Sequence, residues 1–496
     1  MSTLIKLASN HAYAAEAANI IRLFYGKRKI DIIDDEALEN NQSFFLDEEI
    51  LLHSLLDNQG ETVVVKAIIQ SQEGEKAYSE AFSISTVKQK KEAVKLTMYK
   101  LLSELHHKTY PWGILTGIRP IKIVHELMNK GYNEEFIEAY MMDKHLVSKE
   151  KAQLAVAIAE RERSFIYPLD SNKVSIYIGI PFCPTRCHYC SFTSNSLKTC
   201  GGLVEDYLAA LIFEMEQTQA FMYKYKLKVQ TMYIGGGTPT SLNELQLDRL
   251  LSKACDLFGD CLEEFTCEAG RPDTITEGKL RVLKQRGVTR ISINPQTMND
   301  ETLEIIGRAH SSDETIKSFE LARRMGFDNI NMDIILGLPG EGIAHLERTL
   351  NAIEKLQPES LTVHTMAIKR ASIINENIDS VSNQGNASEM MKLTAEYARK
   401  QDLHPYYLYR QKNMVENLEN IGYCKTGYEC IYNIQIIEEK QTNIAFGADA
   451  ITKTVFAEEN RIERQGNIKD IRLYISRIEE QVNKKLKLLE ELYKEL

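Results

Sequence analysis

No uninterrupted apolar run reaches the roughly 18 residues that a membrane-spanning helix needs, which excludes a helical bilayer protein. The N-terminal stretch MSTLIKLASNHAYAAEAANIIRLF has no compact apolar segment, because Asn10, His11 and Glu16 interrupt it, and secretion is not expected. Cysteine is sparse and odd in number, nine in 496 residues. That rules out a disulfide framework and points to a reduced, cytoplasmic setting. Proline is scarce as well, at 11, and with 43% hydrophobic and 26% charged residues the composition is that of an ordinary globular chain. An excess of positive charge is also missing: 60 Lys and Arg against 70 Asp and Glu leave a net charge of -10. Such a chain is a poor match for a nucleic-acid binder, which has to neutralise several phosphates.

The length allows two to four domains and a large core. Residues 1–107 read as an α+β module: ETVVVKAIIQ (61–70) and AYSEAFSIS (77–85) predict strands, and KKEAVKLTMYKLLSEL (90–105) predicts a helix. Residues 108–172 read as a helical connector, opening on YPWGILTGIRPIK with the single tryptophan, Trp112, and closing on the turn-rich YPLDSN. From residue 173 the texture changes. The β-type runs VSIYIGI (174–180), TMYIGGG (231–237), FTCEAG (265–270), RISINPQ (290–296), NINMDIILG (329–337) and SLTVHTMAI (360–368) are separated by helical segments. In one of these, Ile343, Leu346, Leu350 and Ile353 share a face before Pro358; in another, Leu280 and Leu283 face inward and Gly287 is the C-cap candidate. Strand–helix alternation at this spacing over 173–370 predicts a parallel sheet, closed or partly closed as a barrel. Residues 371–496 are less legible: a helix at 389–403, an aromatic and polar stretch at 404–424, β-type runs over 430–456, and a terminal amphipathic helix at 468–496.

The chemistry-bearing residues fall at the ends of these strands, where barrels mount their active sites. PFCPTRCHYCSF places Cys183, Cys187 and Cys190 in one loop, spaced C-x3-C-x2-C, with no fourth cysteine. Three thiolates can hold three irons of a cubane cluster and leave the fourth iron open to an exchangeable ligand. Zinc is the other occupant such thiols could take, although zinc motifs usually bring paired C-x2-C units or histidines, and here only His188 lies in the loop. Gly235, Gly236 and Gly237 end the second strand and, having no Cβ, let backbone approach a ligand closely. Glu268 ends the third strand, Gln296 the fourth, and Asp333 lies in the fifth.

The stretch YIGIPFCPTRCHYCSF, with MYIGGGTPTSL, CEAGRPDTIT, GVTRISINPQT, LEIIGRAH and NINMDIILGLPGE, resembles the radical S-adenosylmethionine (SAM) enzymes of the oxygen-independent coproporphyrinogen III oxidase family (HemN-like). The resemblance is strong over about 173–370 and weaker to about 456. The N-terminal module and HPYYLYRQKNMVENLENIGYC (404–424) are most similar to the HemZ-type branch, the coproporphyrinogen dehydrogenases. The fold it implies is a partial (β/α)6 radical SAM barrel between the N-terminal α+β module and a C-terminal HemN-type α/β region of substrate-covering character, 371–496. It implies a [4Fe-4S] cluster on Cys183, Cys187 and Cys190, with SAM on the open iron as the source of a 5′-deoxyadenosyl radical. It places Tyr177, Gly236, Glu268 and Ile451 around a first SAM. Tyr189, Gly237, Thr238, Gln296, Arg308, Asp333 and Ala367 are placed around a second.

The implied reaction is the oxidative decarboxylation of two propionates of coproporphyrinogen III to vinyl groups, without oxygen. Its partners are the tetrapyrrole and an electron donor such as flavodoxin or ferredoxin, with no membrane and no nucleic acid. A carboxylate-rich macrocycle calls for cations and aromatic surface. Arg370 and Arg410 are the candidates, with Lys369, Lys412, Tyr406, Tyr407 and Tyr409 nearby in sequence. The chain departs from the family pattern at Gly179, where a histidine is usual, and at Ser191–Phe192, where the oxidases carry a further cysteine. The related haem chaperones also lack that cysteine, but their H-N-x-x-Y-W haem motif falls on ENIGYC, with Glu419 and Cys424 in place of its histidine and tryptophan. Haem delivery, and a radical enzyme acting on another tetrapyrrole or on tRNA, are the alternatives to the decarboxylase.

Overall fold

The computed structural model describes residues 4–26, 28–34, 50–59, 62–71, 74–117, 119–190, 195–260, 262–366, 386–411 and 414–494. The chain divides into two compact units, Met1–Val156 with Arg410–Leu418, and Ala157–Tyr409 with Glu419–Leu496. The stretch read as a connector is therefore shared between the two units.

The first unit holds one five-stranded sheet of β1 (Ile5–Ser9), β2 (Ile30–Asp34), β3 (Ile50–Gln59), β4 (Thr62–Ser71) and β5 (Gly74–Ser83), in the order β2-β1-β3-β4-β5. β1 runs parallel to both neighbours, whereas β3, β4 and β5 form an antiparallel meander. The helix Val87–His106 begins at a capping box in which Thr86 and Gln89 satisfy each other's backbone N–H groups. Its Val94, Met98, Leu101 and Leu102 are buried in one cluster with Val63, Val65 and Ile69 of β4. Spacing of three and four on the helix meets spacing of two on the strand, and that match buries both apolar faces together.

The second unit is built on an eleven-stranded sheet. Its centre is six strands: β6 (Lys173–Ile180), β9 (Lys228–Gly236), β10 (Glu264–Gly270), β11 (Arg290–Ile293), β12 (Ile330–Leu336) and β13 (Ser360–Thr365). They are all parallel and adjacent in chain order, as expected for consecutive βα units. Each is nearly all buried, which explains why they read as continuous apolar runs rather than alternating ones. Between β6 and β9 lie two short strands, β7 (Phe182–Cys183) and β8 (Asn195–Ser196).

Capping boxes at Asn243 and Ser311 and an N-cap at Thr276 start three of the covering helices. Gly287 follows the helix Glu277–Gln285 with φ 78, the left-handed position predicted for it. The C-terminal sequence extends this sheet. β14 (His404–Tyr409) and β15 (Asn420–Cys424) are antiparallel additions beyond β13. At the other edge β16 (Thr442–Phe446) pairs parallel with β6, followed by antiparallel β17 (Ile451–Phe456) and β18 (Arg461–Gly466). The expected terminal helix is two helices, Ile471–Ser476 and Ile478–Tyr493. Among the described residues no helix is long and apolar enough to cross a membrane.

Candidate functional site

The cysteine loop leaves the C-terminal end of β6. Pairing of β7 with β8 ties its entry to its exit. Cys183 is buried with its Sγ 3.4 Å from the Thr238 hydroxyl, and burial pushes its thiol up to about 11. Cys187 and Cys190 are half-buried, and the Cys190 N–H donates to the Cys187 carbonyl at 3.2 Å. His188 is turned toward the 305–307 backbone. Its Nδ1 lies 2.9 Å from the Ile305 carbonyl, its own N–H donates to Ile306 O, and its ring fills the space that a Cβ on Gly307 would need. The donor set offered by the loop is thus three thiols, a set that fits a site-differentiated iron–sulfur cluster.

Sequence reasoning missed Arg271. Buried to 3% exposure, it grips Asp273 with two hydrogen bonds (2.9 and 2.7 Å) and donates to the Thr185 carbonyl and hydroxyl at 3.1 and 2.8 Å. The guanidinium fork holds the middle of the cysteine loop from the far side of the β10 turn. An arginine in a βα loop ordinarily reads as a solvated cation, and only the fold brings Thr185 to it.

The three glycines form a ridge against this loop. A Cβ on Gly237 would lie 2.6 Å from the Phe182 carbonyl and 2.9 Å from Cys183 Sγ. On Gly236, whose φ is 110, it would lie 3.0 Å from Ile180 O; on Gly235, 3.1 Å from the Glu268 carboxylate. Backbone bonds from Gly237 N to Ile180 O and from Thr238 N to Phe182 O, both 2.8 Å, close the contact. The cradle is one that side chains would fill.

Glu268 accepts a hydrogen bond from Tyr233 Oη at 2.5 Å. Burial pushes its carboxyl up to about 7; the Tyr233 bond opposes the shift and the nearby Asp333 charge adds to it. Tyr177, Tyr233 and Tyr432 stack beside it, with centroids 4.5 Å apart for Tyr233–Tyr432 and 6.3 Å for the other two pairs.

On the β11–β12 side, Gln296 is buried with φ 67, a left-handed conformation costly for a non-glycine residue. The strain is held by its N–H to Asp333 O and by Ile335 N–H to its own carbonyl, each 2.9 Å. Burial works against the Asp333 charge, but His364 at 3.6 Å and Asn331 Nδ2 at 2.7 Å outweigh it and hold the carboxyl below its ordinary value. Arg308 donates to Asn294 O at 2.5 Å and to Tyr189 Oη at 3.2 Å. Burial opposes its charge too, and Tyr189 and Cys187 more than compensate. Ile451 begins β17 and is 46% exposed.

Ala367, Lys369, Arg370 and Lys412 lie outside the described residues. Arg410, expected at the barrel mouth, is placed otherwise. It belongs to the first unit and is 2% exposed, donating to the carbonyls of Leu115, Leu418 and Asn417 and lying over the Trp112 ring. All three guanidinium nitrogens donate to backbone carbonyls, and the side chain is buried, a placement that holds backbone together rather than meeting a substrate carboxylate. Tyr406, Tyr407 and Cys424 are buried in one cluster with Cys430 and Tyr432, and Glu419 is fully buried.

Residues 177–353 match the family model described as the radical SAM superfamily. The chain is 42% identical over 412 residues, 82% of each partner, to the oxygen-independent coproporphyrinogen-III oxidase-like protein HemZ of Bacillus subtilis. It is 34% identical to the heme chaperone HemW of the same organism, over 56% of this chain and 70% of that one. Among solved structures, the coproporphyrinogen III oxidase HemN of Escherichia coli, a radical SAM enzyme, superposes with a TM-score of 0.51 at 20% identity, over 65% of this chain and 73% of that one. That last likeness shows the fold.

Proposed function

The chain belongs to the radical SAM superfamily, among the oxygen-independent coproporphyrinogen-III oxidase-like proteins, and from that premise we propose that it decarboxylates propionate side chains of a coproporphyrinogen-type tetrapyrrole. Membership implies a [4Fe-4S] cluster and SAM, and the donor set of Cys183, Cys187 and Cys190 beside the glycine ridge is the observation that carries the reading. When bound, the pair supplies a carbon-centred radical able to take a hydrogen atom from an unactivated C–H bond. The protein's own part is to bind, orient and exclude water.

In this reading Tyr177, Gly236, Glu268 and Ile451 would hold the first SAM, Gly236 with its neighbour Gly235 by close backbone approach and Glu268 by accepting from its amino or ribose donors. A second SAM would be held by Tyr189, Gly237, Thr238, Gln296, Arg308, Asp333 and Ala367. An ionised Asp333 and a charged Arg308 are complementary to the ammonium and carboxylate of an amino-acid moiety, which supports that assignment. Arg370 pairs with a propionate, since selectivity requires the reacting carbon to be held within a few ångströms of the radical. With the propionate so held, the bound pair would supply the abstraction and keep the β-carbon's hydrogen atom, and loss of carbon dioxide with one electron passing to a separate one-electron acceptor would leave a vinyl group.

Anaerobic incubation of reconstituted protein with coproporphyrinogen III, SAM and a strong one-electron reductant tests this. Mass analysis is expected to find product lighter by one or two carboxyl groups. Arg370→Ala is expected to suppress that product while slow unproductive SAM cleavage persists. Cleavage by the wild type without any lighter product would refute the decarboxylase reading. The similarity to a heme chaperone supports haem binding as the second reading, for which tight stoichiometric haem uptake without turnover is the discriminating result. Against it, Glu419 and Cys424, which occupy the motif positions, are both buried.

Glu268 gives this site a pH dependence of known sign. Its carboxyl, raised to about 7, is largely protonated under mildly acidic conditions, and the proton has to leave before the carboxylate can accept from the cofactor. SAM affinity is therefore expected to weaken as pH falls through about 7, by up to roughly ten-fold per unit. Glu268→Gln should abolish this dependence and cost about 1.5–3 kcal/mol of binding above it, the worth of a charge-assisted hydrogen bond. Equilibrium binding at about pH 6 and about pH 8 measures both, with cluster absorbance as the control. A wild type whose affinity is flat with pH would exclude the role.

A further inference from the structure

Glu214 and Lys485 form an ion pair at 2.6 Å in the second unit, and both side chains are at 0% exposure. Neither belongs to the cysteine loop or the strand ends, and charges so placed are costly unless every polar atom is matched. Here they are matched, and two of the four outside partners, Ala445 O and Gly447 N, belong to one segment, the end of β16 and the turn that follows it.

Glu214 Oε2 accepts from the Gly447 N–H at 2.9 Å and from Tyr474 Oη at 2.6 Å, and its Oε1 accepts from Asn467 Nδ2 at 2.7 Å. Lys485 Nζ also donates to Ala445 O at 2.6 Å and stands 4.3 Å from the centre of the Phe446 ring. Asn467 Nδ2 reaches Gly447 O at 2.9 Å, and the Ala448 N–H donates to Tyr207 Oη at 3.2 Å. Tyr207 in turn donates to Gly179 O at 2.6 Å. The turn is seated so closely that a Cβ on Gly447, whose φ is 102, would lie 2.5 Å from Tyr207 Oη and 2.6 Å from Gly179 O. Its far end is Asp449 and Ile451, and Asp449 is close enough to add to the upward shift of the Tyr177 phenol, for which burial is the main cause.

We propose that Glu214 and Lys485 are positioning residues of the cofactor site: together they fix the Ala445–Ile451 segment, which carries Ile451 to the SAM site. The inference rests on the assignment of Tyr177 and Ile451 to SAM made above. A charged pair suits this task better than an apolar one, because hydrogen bonds to an ionised carboxylate fix the direction of a peptide N–H, whereas methyl groups only fill space.

The neutral, shape-preserving double variant Glu214→Gln/Lys485→Met tests it, since exchanging both members of a buried pair is commonly tolerated by the fold. The surface variant Lys484→Met is the control; Lys484 is half-exposed and pairs with Glu480. In the cluster-loaded double variant we expect unchanged cluster absorbance and about ten-fold faster hydrogen exchange confined to the 445–451 amides. We also expect about ten-fold weaker SAM binding, with the cleavage rate at saturating SAM unchanged. Wild-type exchange and wild-type SAM affinity in the double variant would overturn the proposal. So would a double variant that fails to fold or to take up the cluster, which would make the pair a global stabiliser. Wild-type protein that binds no SAM would instead refute the cofactor assignment, while the exchange rates would still report on the pair's hold on the turn.

Discussion

Replacing any one of Cys183, Cys187 or Cys190 with Ala is expected to abolish the broad visible absorbance of the reconstituted cluster, and with it all SAM cleavage. Among the described residues of the loop three thiols are the donors, and His188 is turned toward the 305–307 backbone, so none of these side chains replaces a lost ligand. The other six cysteines, Cys200, Cys255, Cys261, Cys267, Cys424 and Cys430, make the contrast. Cys267, Cys424 and Cys430 are buried with their thiols pushed upward by burial, and Cys255 donates to the Arg286 carbonyl. Substituting any of these should leave the absorbance in place. Gly237→Ala should behave like a ligand loss even though it removes no donor, because its methyl group would occupy space 2.9 Å from Cys183 Sγ and 2.6 Å from Phe182 O. Iron and sulfide analysis of anaerobically reconstituted protein reads all of these. A triple Cys→Ala variant at 183, 187 and 190 that still assembled a cluster would refute the site.

Arg410→Ala is expected to destabilise the first unit by about 3–5 kcal/mol rather than to impair substrate recognition. The substitution strips charged donors from three backbone carbonyls, each such bond being worth about 1.5–3 kcal/mol, and water entering the vacated space recovers part of the loss. It also removes the cation from the face of Trp112, which is fully buried and reports the change by its fluorescence. Denaturant unfolding followed at Trp112 should therefore shift to lower midpoint, with cluster content and SAM cleavage per folded molecule preserved. A variant of wild-type stability with loss of tetrapyrrole conversion alone would restore Arg410 to a substrate role.

These two results separate what a sequence can and cannot announce. The cysteine loop is legible because its chemistry is local: three donors within eight residues, followed one strand later by a glycine triplet. The six central strands were legible for a related reason. A parallel strand buried on both faces has to be a short continuous apolar run, and the capped helices between them carry their own start and stop residues. The 404–424 stretch showed only aromatic and polar character. Its strands are antiparallel additions at a sheet edge, β14 on β15 and β15 on β13, and the pairing with β13 is set by residues far away in sequence.

By itself, then, the sequence determined the radical SAM class, the α/β alternation, the three-cysteine loop and the strands that carry Glu268 and Asp333, with Gln296 just past the end of β11. Tertiary structure decided which long-range partners those residues meet. Arg271 finds Thr185 across 86 positions, Lys485 finds Glu214 across 271, and Arg410 finds Leu115 across 295. Periodicity and motif spacing express forces acting within one helix or one loop. A buried charge is instead governed by the desolvation it must offset, and the group that offsets it is chosen by the packing of the whole unit.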